Sequence, residues 1–126
     1  MLRGPIAAGA RALATRASAD KPRMMIALQY VFAASTPEEL VALRAPHRGA
    51  HLAHTQVWAA DGRLALGGAL GGSGTPGGLL VFNEGVTVQE VEAFARADPY
   101  VLRGVVRSHS VRPWTVVIES GVGGAT

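Results

Sequence analysis

Apolar and polar positions along the chain switch between a strand-like and a helix-like period. Residues 24–32, MMIALQYVF, form an apolar, partly β-branched and aromatic run that predicts a first strand. Ser35-Thr36-Pro37-Glu38-Glu39 follows. Thr36 suits an N-cap, Pro37 the first helical position, and Glu39 the far side of a capping box. The helix this opens meets Pro46, where a kink or restart at about Pro46–His47 is expected, and its second half runs to Ala60 before Asp61-Gly62 ends it.

Residues 63–70, RLALGGAL, read as a second strand weakened by Gly67 and Gly68. A Gly-rich connector over 71–78 leads to a third strand, LLVF, at 79–82, and Asn83-Glu84-Gly85 turns the chain. Thr87-Val88-Gln89-Glu90 is a second capping box, and the helix behind it puts Val91, Phe94 and Ala95 on one face. Asp98-Pro99 stops that helix. A last β-rich run, 105–118, is broken by Pro113, a residue that suits a bulge or a sheet edge.

The order β-α-β-β-α-β predicts an α+β fold of the ferredoxin-like, split βαβ kind. Two helices cover one face of such a sheet, so the other face needs a partner. A homodimer joined sheet to sheet is the simplest solution.

Composition changes this picture in one place. The formal charge of +3 is carried by residues 1–23, where Arg3, Arg11, Arg16, Lys21 and Arg23 stand against Asp20 alone. The rest of the chain holds 7 basic and 8 acidic residues. A nucleic-acid binder would carry its basic patch in the folded part, so that class is set aside. Residues 1–23, rich in Ala and Arg, have the composition of a mitochondrial or plastid transit peptide. A disordered leader, or a start codon set upstream of a domain beginning near Met24, fits the same residues. The location is organellar in the first case and cytoplasmic otherwise. The domain is expected over 24–119, with a flexible tail at 120–126. The chain has no cysteine, which removes disulfides, thiolate metal sites and cysteine nucleophiles. No apolar run reaches the roughly 18 residues of a membrane span.

Candidate chemistry is sparse. His47, His51 and His54, with Trp58, follow one helical face. Imidazoles at i and i+4 can share zinc or nickel, but no carboxylate stands at matching spacing, and half-exposed histidines beside a core Trp is the reading preferred. No metal is expected. Gly72-Ser73-Gly74-Thr75-Pro76-Gly77 has the form G-x-G-x-x-G, yet it contains a proline and leads into a strand rather than a helix, so it is not a dinucleotide fingerprint. It reads as a connector or a cleft rim. His109, between Ser108 and Ser110 in a strand, points away from both and reads as a surface residue. Asp98 closes a helix, where it can cap the next turn or orient an imidazole.

Arg48-Gly49-Ala50-His51-Leu52, Asp61-Gly62-Arg63-Leu64 with Gly67-Gly68, Ala97-Asp98-Pro99-Tyr100 with Gly104, and Val111-Arg112-Pro113-Trp114 together resemble the YCII-related family, over about Met24 to Glu119. The resemblance implies a ferredoxin-like fold, dimerisation as an α/β barrel, and a site built on His51 and Asp98. It also implies relatives such as an enzyme that removes chloride from a chlorinated hydroxyquinol. The expectation is therefore a cofactor-independent enzyme of proton transfer on a small cyclic or phenolic ligand. His51 is the acid/base, Asp98 its orienter, Arg48 an anion contact and Tyr100 an oxyanion donor. The alternative is a non-catalytic ligand-binding or accessory dimer.

Overall fold

The structure is a computed structural model and describes residues 21–121. Its elements are β1 (Arg23–Phe32), α1 (Pro37–Arg44), a 3-10 turn (Ala45–His47), α2 (Arg48–Ala60), β2 (Leu64–Leu70), β3 (Gly77–Phe82), α3 (Val88–Ala97), the one-turn α4 (Pro99–Leu102) and β4 (Val106–Val116). The four strands form one sheet in the order β2-β3-β1-β4, with β3 antiparallel to both of its neighbours. The fold is α+β, in the element order expected of a split βαβ.

Capping residues set the helices. Thr87 Oγ1 accepts from the Glu90 amide at 3.1 Å while Glu90 Oε1 accepts from the Thr87 amide at 2.9 Å, a complete capping box. At α1, Thr36 Oγ1 caps the Glu39 amide at 3.1 Å, but the return bond differs from expectation. Glu39 Oε1 reaches one residue further back, to the Ser35 amide at 2.8 Å. Pro46 converts the expected kink into the 3-10 turn that separates α1 from α2. Pro113, by contrast, does not break its strand. β4 runs through it as the outermost strand, where a missing N–H costs no ladder bond on the open side.

Alternation along β1 places Ile26, Leu28, Tyr30 and Phe32 on the core side, where they meet Leu80 and Phe82 of β3 and Val91, Phe94 and Ala95 of α3. Phe94, Phe82 and Trp58 pack edge to face, with centroids 5.1–5.8 Å apart. Phe82 and Phe94 are fully buried, and each contributes about 1.5–3 kcal/mol by leaving water, while Trp58 is partly buried. His54 stacks on Phe94 and donates from Nε2 to the Phe94 carbonyl at 2.9 Å, which ties α2 to α3.

The chain separates into a main unit, Met25–Trp114, which holds this core, and a second unit formed from the segments on either side. In the second, Arg23 pairs with Glu119 at 2.6 Å. Arg23 thus belongs to a strand rather than to the leader, because its guanidinium has a partner in the folded part. The rest of the leader, to residue 20, and the tail from 122 lie outside the described residues.

Candidate active site

Asp98 is the hinge of the site. It ends α3 in an extended conformation and begins α4, and Pro99 at the first helical position fixes the backbone behind it. Its carboxylate is fully buried among apolar neighbours. A buried charge needs partners, and it has three. Oδ1 accepts from the Tyr100 amide at 2.9 Å and lies 2.8 Å from His51 Nδ1, and Oδ2 accepts from the Tyr30 hydroxyl at 2.7 Å. Burial by itself would raise the carboxyl, but the hydrogen bonds from His51, Tyr30 and the Tyr100 amide outweigh it and hold Asp98 below the usual carboxylate range. The capping and orienting roles weighed for Asp98 are therefore both met by one oxygen. Burial first, then the charge and hydrogen bond of Asp98, push the Tyr30 phenol far above its ordinary value, so it stays a donor.

An ionised carboxylate only accepts, so His51 donates to it from Nδ1–H. That assigns the neutral ring its tautomer and leaves the Nε2 lone pair unclaimed among the described residues. The Tyr100 ring lies flat on the imidazole, with centroids 3.8 Å apart and planes 5° from parallel. Orientation and tautomer of His51 are thus set from two directions.

His51 and Tyr100 line a cleft of about 500 Å³ between α2 and the sheet. Arg48 and Arg44 line it too, one at the start of α2 and one at the end of α1. Its floor is small. Register places Gly67, Ala69 and Gly78 on the core face of β2 and β3, beside Leu80 and Tyr30. The glycines that weaken the second strand make the space the cleft occupies. From the connector 71–78 only Gly78 lines the cleft.

The structure brings together all four side chains expected from the sequence: His51, Asp98, Arg48 and Tyr100. His47 and His54 are not joined with His51. Among the described residues, no three His, Cys, Asp or Glu side chains form a metal-ligand group. His109 faces α3 and pairs with Glu92 at 3.0 Å rather than standing alone. Tyr30 and Arg44 were not anticipated. Tyr30 carried a signal, since a tyrosine on the buried phase of an apolar strand must find a partner for its hydroxyl. Arg44 carried none.

These features define a small α+β domain with a buried carboxylate orienting an imidazole toward a cleft. Residues 28–115 match the model of the YCII-related domain, and the chain belongs to that family. It is 35% identical over 95 residues to "Protein YciI" of Escherichia coli and, at the same identity, to that of Shigella flexneri, covering 70% of this chain and 97% of each relative. Among solved structures it resembles 5-chloro-2-hydroxyhydroquinone dehydrochlorinase from Burkholderia phenoliruptrix, in complex with 2,5-dihydroxybenzoquinone. The TM-score is 0.54 at 25% identity, over 71% of this chain and 92% of that one.

Proposed function

We propose that this protein is a small-molecule enzyme of acid/base chemistry, in which His51 Nε2 exchanges a proton with a ligand in the cleft. The observation that carries this reading is the 2.8 Å contact of His51 Nδ1 with buried Asp98, which turns the other ring nitrogen outward as a base. Asp98 orients the ring and stabilises its charged form after proton transfer. Arg48 holds an ionised oxygen of the ligand, and the Tyr100 hydroxyl donates to the oxygen on which negative charge develops. Proton transfer of this kind needs no cofactor. The dehydrochlorinase acts on a chlorinated hydroxyquinol, and its bound quinone is flat and cyclic. Its likeness supports a small cyclic or phenolic substrate and a step of isomerisation, elimination or hydrolysis.

The assembly proposed is a homodimer through the open face of the sheet, closing an α/β barrel. Leu66 and Leu70, on the face of β2 away from the core, are 65% and 47% exposed, and such apolar side chains favour a partner surface. Residues 1–22, the expected leader less Arg23 of β1, are proposed as organelle-directing.

The alternative, a ligand-binding dimer without turnover, is favoured by the burial of Asp98, since a satisfied Tyr30–Asp98–His51 tie also serves as structure. One experiment separates the two. Chloride release from 5-chloro-2-hydroxyhydroquinone, and isomerisation of small unsaturated lactones, are measured with the parent and His51→Ala. Turnover in the parent that disappears in a stably folded His51→Ala supports the enzyme. No turnover in the parent supports the binding module, and full activity in His51→Ala removes His51 as the acid/base.

A further inference from the structure

Arg44 and Arg48 stand four residues apart, an arrangement in which like charges repel on a helical surface. Arg63 is paired with Asp61 at 2.7 Å and Arg23 with Glu119, but Arg96, Arg103, Arg107 and Arg112 show no ion pair among the described residues, so it is their place on the cleft that sets Arg44 and Arg48 apart. No carboxylate pairs with Arg44 or Arg48 among the described residues. Both line the cleft, and none of the cleft's lining side chains is acidic. The nearest acid in function, Asp98, is not part of the lining and has its lone pairs committed to three donors. The cleft therefore carries two cations, Arg44 half-buried and Arg48 exposed, with no carboxylate in its lining, which gives it a positive potential.

Two further features describe what would neutralise it. Tyr100 is 3% exposed, and its hydroxyl is buried with no hydrogen-bond partner among the described residues. An unmade hydroxyl bond in such a place is costly, and an oxygen of a ligand can accept it. The floor, meanwhile, is bare backbone at Gly67 and Gly78. A Cβ on Gly78 would stand 3.4 Å from the Phe32 ring, and one on Gly67 would stand 3.1 Å from Leu80 Cγ. The Phe32 ring and the Leu80 side chain thus lie against the two glycines and, with Ala69, give the cleft a low apolar floor.

We propose that the cleft is an anion site in which Arg44 acts together with Arg48, and that its ligand is a flat ring bearing an ionised oxygen group, a carboxylate or a phenolate. This rests on the reading of the cleft as the small-molecule site but not on catalysis. Arg44 sets specificity: it selects charge, while the glycine floor selects thickness. The two guanidiniums bracket the anionic group, which leaves the ring over the floor beside the stacked pair of His51 and Tyr100.

The test is direct binding by calorimetry of benzoate, benzamide and cyclohexanecarboxylate to the full chain, with Arg44→Gln and His51→Ala beside the parent. Benzoate should bind at least about tenfold more tightly than benzamide, since a charge-assisted bond to a guanidinium is roughly twice as strong as a neutral one. It should also bind more tightly than the puckered cyclohexanecarboxylate. Arg44→Gln should remove most of the preference for charge and leave benzamide unchanged, and His51→Ala should keep it. Equal affinity for benzoate and benzamide, a preference that survives Arg44→Gln, or no saturable binding of either carboxylate overturns the proposal. Loss of turnover in His51→Ala with anion selectivity kept bears on the enzyme reading alone. Selectivity lost in Arg44→Gln bears on this one alone.

Discussion

His51 and Asp98, 47 residues apart in sequence, meet through Nδ1 and Oδ1 at 2.8 Å, with the imidazole 13% exposed and the carboxylate not at all. The contact fixes which nitrogen of His51 carries the proton in the neutral ring. Long-range ¹H–¹⁵N NMR should therefore find neutral His51 protonated on Nδ1. An Nε2-protonated neutral ring would mean that the donor and acceptor of this pair are exchanged and that Nε2 is no base.

Tyr30→Phe removes the donor to Asp98 Oδ2 and nothing else of size. A hydrogen bond to a charged group contributes about 2 kcal/mol, so denaturant unfolding should show a loss of that order at neutral pH. A loss below about 0.5 kcal/mol would show that water replaces the phenol at Oδ2.

Acid should reveal the same bonds through linkage. The folded carboxyl of Asp98 is held below its unfolded value, near 3.9 for a free aspartate. Its contribution is thus fully present above about pH 4 and is lost as pH falls through the lower folded value. Tyr30→Phe, by removing one of the bonds that lower it, should shift the acid-unfolding midpoint of the protein upward. An unchanged midpoint would indicate that other carboxylates govern acid unfolding.

At the alkaline end the sign reverses. The Tyr30 phenol is raised above its unfolded value of about 10, so its contribution is full below that pH. Above it, the unfolded chain loses the proton while the folded one keeps it, and stability falls. The parent should lose stability more steeply above pH 10 than Tyr30→Phe does. Parallel curves would contradict the burial of this hydroxyl.

Gly78→Leu should crowd the cleft and the core beside it, because its side chain would project from the core face of β3, where a Cβ already meets the Phe32 ring at 3.4 Å. Ring binding should fall at least about tenfold, and the midpoint of thermal unfolding should drop as well, since overpacking against Phe32 costs about 1–3 kcal/mol. Unaltered ring binding in this variant would place the ligand elsewhere.

The sequence determined the elements because their signals are local. Thr36-Pro37 and Thr87 with Glu90 mark helix starts through bonds made within four residues, and the alternation of Ile26, Leu28, Tyr30 and Phe32 states which side of β1 faces the core. Motif resemblance added His51 and Asp98 as a pair, with Asp98 expected to orient the imidazole and with Arg48 and Tyr100 beside them as ligand contacts. Tertiary structure alone decided three things. It placed Tyr30 on the second oxygen of the carboxylate that holds His51, since a buried charge draws donors from whichever elements packing brings near. It turned Gly67, a weak point of its strand, and Gly78, the end of the expected connector, into part of the floor of a cleft that α2 spans. It set Arg44 beside Arg48 on that cleft, since the potential of a cleft is the sum of charges that the chain order keeps separate and only folding collects.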